Sequence, residues 1–342
     1  MNSRRKFIRN GILGAGMLTL NVKNISEQFH ANENSTIILP PKLNSGDLVA
    51  LMAPAGAIFS ADVITKSKKA LESMGFRVII GGTASVQYGY LAGEDTFRAK
   101  EFMDFISNKE VKAIIALRGG WGCARMLPLL DMSIISKNPK IISGFSDITT
   151  LLLAIYHNTK IVTFHGPVGN STWEGVTTTH FLDIVQARKS PIILSNSDVK
   201  VVVSGKARGT LIGGNLTIIC SLLGTPYLPS FKNAILFLEE IEEEPYSIDR
   251  LLTQLSLSGI LDHLAGLVFG KCASCNILEP GRSFSLDEVI DHHFKSRNYP
   301  VVKGFAVGHI RDKFTIPIGV NAELDTTNLS LTILENSVSI DG

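Results

Sequence analysis

The chain has 342 residues, of which 45% are hydrophobic, and its 33 basic and 31 acidic side chains leave a net charge of +2. This length and composition are typical of a globular protein that is large enough for two hydrophobic cores. The near balance of charge, and the lack of a basic stripe with interleaved aromatic residues, exclude a nucleic-acid partner.

The first 35 residues differ in kind from the rest of the chain. Arg4 and Arg5 precede a moderately apolar run that is too short and too rich in glycine to be a convincing membrane span, and the pattern resembles a twin-arginine export signal. The polar residues that follow suit a tether. We therefore expect a signal and tether over residues 1–35, export to the periplasm by the twin-arginine route, and membrane attachment only if the signal is retained.

From Gly46 onward, short apolar runs alternate with amphipathic segments. The predicted strands are Leu48 to Met52, Phe76 to Ile80, Val111 to Ala116, Pro139 to Ile142 and Ile161 to Phe164, and the predicted helices lie near 61–74, 96–106 and 149–155. This alternation predicts an α/β domain over residues 40–190 that is built on a doubly wound parallel sheet, with ligands beyond the carboxyl ends of the strands.

The texture of the sequence changes between residues 185 and 205, where Pro191 and a polar run mark a linker. New β structure begins at Val201. A strand from Ala234 to Leu238, an acidic turn, a helix and several closing strands follow. We therefore expect a second domain over residues 205–342, smaller than the first and β-rich but still of the α/β class.

Cys272 and Cys275, two of the four cysteines, have the spacing of a metal-ligand or redox pair. No second cysteine pair and no close histidine pair completes a zinc site. In an oxidising compartment the two thiols could close a small disulfide, and they are equally typical of free thiols in a loop. A dinucleotide fingerprint is absent.

Ser146 lies at a bend between an apolar strand and a predicted helix, which is where a nucleophile would be useful. Backbone N–H groups at the start of such a helix can stabilise an oxyanion. An isolated Ser146-Asp147 pair is, however, more typical of a helix cap. The glycine-rich segment Arg118–Gly122 follows another predicted strand, and it fits a ligand-binding loop or a simple tight turn.

A serine nucleophile needs a base, and usually a carboxylate that orients the base. Among the eight histidines, His309 ends a strand-like stretch that begins at Val301, although such a histidine, taken alone, is more typical of a structural role. Glu239 directly follows four apolar residues, so its side chain is expected to leave the end of a buried strand. Most of the neighbouring glutamates are typical of a solvated face.

These motifs and their order resemble the LD-carboxypeptidase family of serine peptidases, which includes the microcin C self-immunity peptidases. The resemblance extends from about Gly46 to Gly319. The segments that carry it are Ser45-Gly46-Asp47, Ala53–Gly56, Leu91–Thr96, Arg118–Gly122, Gly144–Asp147, Gly209–Leu216, Leu238–Glu240 and Gly308-His309. Phe145 stands where the family more often has Tyr or His, and Trp121 replaces a frequent Tyr.

The resemblance implies a role for five residues. Ser146 would be the nucleophile, His309 the general base and acid, and Glu239 the residue that orients His309. The backbone N–H groups of Gly120 and Asp147 would form the oxyanion hole. No metal and no cofactor is implied.

The resemblance also implies a homodimer and a substrate. Family members hydrolyse the bond between the L-centre of the diamino acid and the terminal D-alanine of murein tetrapeptides. The familiar members act in the cytoplasm, whereas an exported member would meet intact or newly made cell wall. Two alternatives therefore stay open: a hydrolase of another amide, such as a peptidyl-nucleotide of the microcin kind, and a cell-wall-peptide binding protein without catalysis.

Overall fold

Two β-sheets with flanking helices make up residues 36–340, the part of the chain that the computed structural model describes. The strands are β1 (Leu48–Met52), β2 (Arg77–Ile80), β3 (Val111–Ala116), β4 (Ile141–Gly144), β5 (Thr163–His165), β6 (Ile192–Leu194), β7 (Lys200–Val203), β8 (Lys206–Asn215), β9 (Ala234–Ile241), β10 (Gly266–Ala273), β11 (Val301–Lys303), β12 (Ile316–Ile318), β13 (Asn321–Asp325) and β14 (Ser330–Ile333). The predicted signal and tether lie outside the described residues.

The helices pack against these sheets. They are α1 (Ala61–Ser73), α2 (Asp95–Ser107), α3 (Cys123–Met126), α4 (Met132–Lys137), α5 (Thr149–Thr159), α6 (Gly175–Val185), α7 (Leu216–Ser221), α8 (Pro245–Leu257) and α9 (Leu286–Phe294), with single 3-10 turns at Gly82–Ser85, Leu127–Leu129, Ser146–Ile148 and Ile260–Asp262. Within residues 36–340, none of the helices combines the length and the apolar character that a membrane crossing requires.

The first sheet has the strand order β12-β5-β4-β3-β1-β2. Strands β1 to β5 are parallel, and β12 adds an antiparallel edge to β5. The strands β1, β3 and β4 are apolar and almost wholly buried, as expected when helices cover both faces of a parallel sheet. This sheet confirms the predicted doubly wound α/β architecture, and its strand order reverses between β1 and β3. Sheets of this kind bind their ligands beyond the carboxyl ends of the strands at such a point.

The second sheet has eight strands in the order β6-β14-β13-β8-β9-β10-β11-β7. Its centre, β8 to β11, is parallel, and the strands on both sides are antiparallel. The predicted β-rich α/β character of this part of the chain is therefore confirmed. Because β12 comes from the same part but joins the first sheet, the two sheets are tied together; the domain limits of 40–190 and 205–342 stay a prediction.

The segment that was expected to be a linker contains the edge strand β6. Ile192 and Leu194 are buried, whereas Ile193 between them is 63% exposed, and this alternation is that of a strand with one covered face. The strand pairs with β14. Three residues behind a proline are too short a pattern to stand out in the sequence.

Two further boundaries differ from the expected ones. Strand β9 continues through Glu239 and Glu240, so these two glutamates belong to the sheet and not to an acidic turn. Strand β11 ends at Lys303, because Gly304 adopts a φ of +92° and turns the chain. His309 therefore lies in the loop that follows β11 and not at the end of a strand.

The cysteines of the described part are either bonded or buried. Cys272 and Cys275 form a disulfide at the end of β10, with 5.5 Å between their Cα atoms. Cys123 and Cys220 are free thiols in the interior. Of the two alternatives left open for this pair, a disulfide and free loop thiols, the structure contains the disulfide.

Strands β8 and β9 approach each other closely at Gly213, where an added Cβ would lie 1.9 Å from Phe237 O. We expect Gly213→Ala to lower the free energy of unfolding by about 3 kcal/mol or more, since the strands would have to separate. Urea unfolding followed by circular dichroism measures this change.

The matched control is Gly266→Ala in β10, which is also a buried strand glycine. Its added Cβ would lie 3.3 Å from the end of the Leu324 side chain and 3.4 Å from Pro300 O, which are close but not clashing contacts, so a change of about 1 kcal/mol or less is expected. Equal losses in the two variants would contradict the role given to the close approach of β8 and β9.

Candidate active site

Ser146 sits on a strained bend between β4 and α5. Its φ of +64° lies in the left-handed region, which residues other than glycine rarely adopt. The bend also depends on glycine neighbours: an added Cβ on Gly119 would lie 2.7 Å from Ser146 Cβ, and one on Gly144 would lie 2.8 Å from Ile148 Cγ2. Strained strand-to-helix turns of this kind present nucleophilic serines in other hydrolases.

Glu239 and His309 are in direct contact. His309 Nδ1 lies 2.8 Å from Glu239 Oε2, the Glu239 side chain is wholly buried, and the His309 side chain is 16% exposed. Gly308 allows this approach, because an added Cβ there would lie 2.7 Å from Glu239 Oε2. The structure therefore brings together the two residues that were expected to act as base and orienting carboxylate.

The two histidines near Glu239 favour the ionised form of its carboxyl group. Burial opposes ionisation of the carboxyl group, but contacts with His165 and His309 outweigh that effect and lower the pKa of Glu239 to about 2. An ionised carboxylate can only accept hydrogen bonds, so Nδ1 of His309 must carry the proton that the two groups share. The lone pair of His309 is then on Nε2.

Phe145, the residue before Ser146, contacts His309. The rings of Phe145 and His309 pack edge to face, with 4.8 Å between their centroids. Ser146 Oγ has no hydrogen-bond partner within residues 36–340, and therefore none in His309. Catalytic hydrogen bonds are often incomplete without substrate, and the expected Ser146–His309 interaction stays a prediction.

The two proposed oxyanion donors come from two different segments, the loop after β3 and the bend that carries Ser146. Gly120 belongs to the loop after β3, and within the described part of the chain its N–H group donates to no acceptor. Asp147 is in the first turn of the helical segment, where N–H groups have no intrahelical acceptor. Both groups are thus available, and their use as an oxyanion hole stays a prediction.

The Asp147 side chain has a separate, structural task. It is 2% exposed, and its Oδ2 accepts a hydrogen bond of 2.8 Å from the backbone N–H of Cys123, at the start of α3. Burial raises the pKa of Asp147, partly offset by the bonds to Cys123 and by the charge of Arg98. The side chain therefore fixes the loop that carries Gly120 relative to the bend that carries Ser146.

Arg98 on α2 anchors the loop after β1 and the loop after β3, a role that the sequence did not reveal. The side chain is fully buried and donates to the carbonyl oxygens of Gly93 (3.1 Å), Gly122 (3.0 Å) and Pro54, and to Asp95. Pro54 follows β1, and Gly122 follows β3. One guanidinium group thus joins the loops on both sides of the point where the strand order reverses.

Lys313 is a second residue near the site that sequence reasoning missed. It is 5% exposed, and its Nζ lies 4.3 Å from the centroid of the Phe145 ring, as in a cation–π contact. In the part of the chain that the structure describes, no carboxylate forms an ion pair with it. Burial lowers the pKa of Lys313 to about 8, although the charge of Glu239 opposes this shift.

His165 is the third residue near the site that was not predicted. It ends β5, it is 2% exposed, and its Nε2 lies 3.7 Å from Glu239 Oε1. A polar residue directly after a buried strand was the signal that identified Glu239, and the same signal would have found His165, which follows the predicted strand Ile161 to Phe164. Within residues 36–340, no group of three or more His, Cys, Asp or Glu side chains is arranged to hold a metal ion.

Comparison with known proteins matches both halves of the chain to one family. The LD-carboxypeptidase N-terminal domain matches residues 49–166, and the LD-carboxypeptidase C-terminal domain matches residues 208–324. The probable murein peptide carboxypeptidase of Bacillus subtilis is 36% identical over 305 residues, which cover 88% of this chain and 95% of that protein.

Two solved structures share the fold. The microcin C7 self-immunity protein MccF of Escherichia coli, in complex with aspartyl sulfamoyl adenosine, has a TM-score of 0.82 and 26% identity, and the match covers 88% of this chain and all of that one. The muramoyltetrapeptide carboxypeptidase of Oxalobacter formigenes has a TM-score of 0.75 and 30% identity, with 83% and 97% of the two chains covered.

The buried charge of Lys313 leads to a prediction about stability. We expect Lys313→Met to raise the free energy of unfolding at pH 7 by about 1–2 kcal/mol, because the buried charge costs more than its contact with Phe145 returns. The cost is complete below pH 8 and fades as the pH rises from about 8 towards 10.5, since the folded protein then releases the proton first. Urea unfolding at pH 7 and pH 9.5 measures both effects.

Lys140 provides the matched control. Burial also lowers its pKa to about 8, but its Nζ donates to the carbonyl oxygens of Asn108 (2.7 Å) and Val111. Lys140→Met removes both of these hydrogen bonds and is expected to destabilise the protein by about 1–3 kcal/mol. A Lys313→Met variant that loses stability at pH 7 as Lys140→Met does would refute the prediction.

Proposed function

Because the chain belongs to the LD-carboxypeptidase family, a family of serine carboxypeptidases, we propose that it removes the terminal D-alanine from murein tetrapeptides. The bond to be hydrolysed is the one between the L-centre of the diamino acid and D-alanine. The observation that carries this proposal is the 2.8 Å contact between His309 and the buried Glu239, next to the strained bend of Ser146. Relatives named as carboxypeptidases of murein peptides support the substrate class.

In the acylation step, His309 acts as a base through Nε2, since Nδ1 carries the proton that faces Glu239. Nε2 takes the proton of Ser146 Oγ as the oxygen attacks the scissile carbonyl carbon. The carbonyl oxygen becomes an oxyanion, and the N–H groups of Gly120 and Asp147 donate to it. The carbon–nitrogen bond then breaks, and the imidazolium returns its proton to the amine of D-alanine.

Deacylation repeats the same proton transfers with water. His309 removes a proton from a water molecule, which attacks the ester carbonyl of the acyl-enzyme, and then protonates Ser146 Oγ as the ester bond breaks. Glu239 stays ionised throughout, because its pKa of about 2 is far below the working pH. The charge of Glu239 stabilises the imidazolium that forms in both steps.

A second candidate function is hydrolysis of a peptidyl-nucleotide. MccF, which shares the fold, was solved in complex with aspartyl sulfamoyl adenosine. In this chain Tyr90 and Trp121 are 62% and 48% exposed, and their ring centroids lie 5.7 Å apart. Trp121 directly follows Gly120 in the sequence. Exposed aromatic faces stack nucleobases well, so these two residues are the feature that favours this alternative.

The place of action and the assembly are also proposals. We propose that the protein is exported to the periplasm through the signal at residues 1–35, where it meets murein peptides of the cell wall. The homodimer that the family resemblance implied stays a prediction.

The central prediction concerns Ser146. Protein lacking the residues before Ser35, incubated with L-Ala-D-Glu-meso-diaminopimelate-D-Ala, is expected to release one alanine, and Ser146→Ala is expected to release almost none while remaining folded. Mass spectrometry of the peptide and circular dichroism of the variant measure the two results. Release of alanine by Ser146→Ala at the wild-type rate would refute the assignment of the nucleophile.

The same assay separates the candidate functions. A parallel reaction with aspartyl sulfamoyl adenosine is expected to have a much lower kcat/KM than the tetrapeptide. The reverse order would favour the peptidyl-nucleotide alternative. Binding of the tetrapeptide without cleavage of either compound would favour a binding protein.

Export is tested in living cells. Arg4→Lys combined with Arg5→Lys is expected to move most of the protein from the periplasmic to the cytoplasmic fraction, since the signal depends on the arginine pair. Immunoblotting of the two fractions measures the change, with the unaltered chain as the control. An unchanged periplasmic fraction would argue against the twin-arginine route.

A further inference from the structure

Two buried polar atoms face each other beside the proposed triad, and neither has a hydrogen-bond partner among residues 36–340. They are His165 Nε2 and Glu239 Oε1, which lie 3.7 Å apart on side chains that are 2% and 0% exposed. Buried polar atoms are nearly always paired, because an unpaired one has lost its hydrogen bonds to water without replacement. The pair therefore calls for an explanation.

The backbone fixes the position of His165 relative to the site. His165 pairs with Gly144 in the register between β5 and β4, and β4 leads directly to Ser146. Its ring packs edge to face on Phe237, with 5.3 Å between the centroids. Phe237 and Glu239 are two residues apart on β9, so they point to the same face of the second sheet.

The two oxygens of Glu239 have different neighbours. Oε2 is 2.8 Å from His309 Nδ1, whereas Oε1 faces His165 Nε2 at a distance somewhat beyond a hydrogen bond. An ionised carboxylate accepts at both oxygens, so the tautomer of His165 that suits this site carries its proton on Nε2. A movement of about 0.5–0.8 Å would bring the two atoms to hydrogen-bond distance.

We propose that His165 is a positioning residue of the reaction: its Nε2–H donates to Glu239 Oε1 and prevents the carboxylate from rotating away from His309 during turnover. This inference rests on the proposed function. A carboxylate held at one oxygen alone is free to turn about its terminal bond. Preventing this rotation matters most when His309 is protonated, because the charge of Glu239 then stabilises the imidazolium. Held at both oxygens, Glu239 keeps His309 Nδ1 in place while Nε2 exchanges its proton with Ser146 and the leaving amine.

The test compares three substitutions of His165. Gln places an amide N–H near the position of Nε2 and keeps the donor, whereas Phe keeps the ring shape without a donor and Asn has its amide near the position of Nδ1. We expect His165→Phe and His165→Asn to lower kcat on the tetrapeptide about 10- to 100-fold with KM within about twofold, the size expected for losing a hydrogen bond to a charged group. His165→Gln is expected to stay within about threefold of wild type.

His180→Phe is the matched control. His180 also has a buried, unpaired ring nitrogen and packs on Phe314, with 4.6 Å between the centroids, but it does not contact Glu239. This variant is expected to keep the wild-type kcat. A folded His165→Phe with the kcat of wild type, or a His165→Gln as slow as His165→Phe, would overturn the inference; if His165→Phe does not fold, His165→Asn decides.

A second readout does not depend on turnover. The His309 Nδ1–H proton should give a downfield NMR signal because it is bonded to Glu239, and we expect faster exchange of this proton with water in His165→Phe and His165→Asn but not in His165→Gln. Equal exchange rates in all four proteins would also overturn the inference. If wild-type protein releases no alanine while the exchange rates differ as expected, the proposed substrate is wrong and the positioning role stands.

Discussion

The negative charge of Glu239 has no access to solvent, and the side chains around it offset the cost of burying that charge. Removing a carboxylate from water costs several kcal/mol even after the protein has relaxed, so it must be balanced by nearby donors or positive charge. His309 meets one oxygen at 2.8 Å, His165 faces the other, and the buried Lys313 contributes a positive charge without touching the group. Because these partners come from strand β5 and from the loop after β11, balancing this one charge fixes how the two sheets meet. The imidazole of His309 is then oriented by the same interactions that make the burial possible.

The site depends equally on three glycines, which have no side chain. Gly119, Gly144 and Gly308 each lie so close to Ser146, Ile148 or Glu239 that an added Cβ would fall at 2.7–2.8 Å from a neighbouring atom. Real Cβ atoms do not approach other atoms this closely, so the backbone segments around Ser146 and His309 can pack as they do only where glycine stands. Arg98 and Asp147 anchor the neighbouring loop after β3, through hydrogen bonds to the backbone of Gly122 and Cys123. Close approach and polar anchoring together allow the strained φ of Ser146 to persist.

The sequence predicts those parts of the fold and the site that are encoded locally. Strand β1 and the first five positions of β9, Ala234 to Leu238, could be placed because apolar runs predict buried strands. Ser146 and Glu239 were found because each comes after such a run. The burial of Glu240 could not be predicted. Its side chain is 3% exposed, and its carboxylate accepts hydrogen bonds from Asn215 Nδ2 at the end of β8 and from the backbone N–H of Thr217 in α7. Lys313 escaped prediction for a similar reason, since its burial depends on Phe145, far away in sequence. Such roles arise only when distant segments meet.

The edge strand β12 has a consequence for how the protein is made. It completes the first sheet by pairing with β5, although about 150 residues of chain lie between the two strands. At the usual speed of synthesis, about 5–20 residues per second, the edge of β5 therefore waits on the order of ten seconds or more for its partner. An open strand edge is a template for pairing with other chains. The sheet that leads to Ser146 is thus most vulnerable to aggregation while the second half of the chain is still being synthesised, and a chain that stops early would carry that open edge permanently.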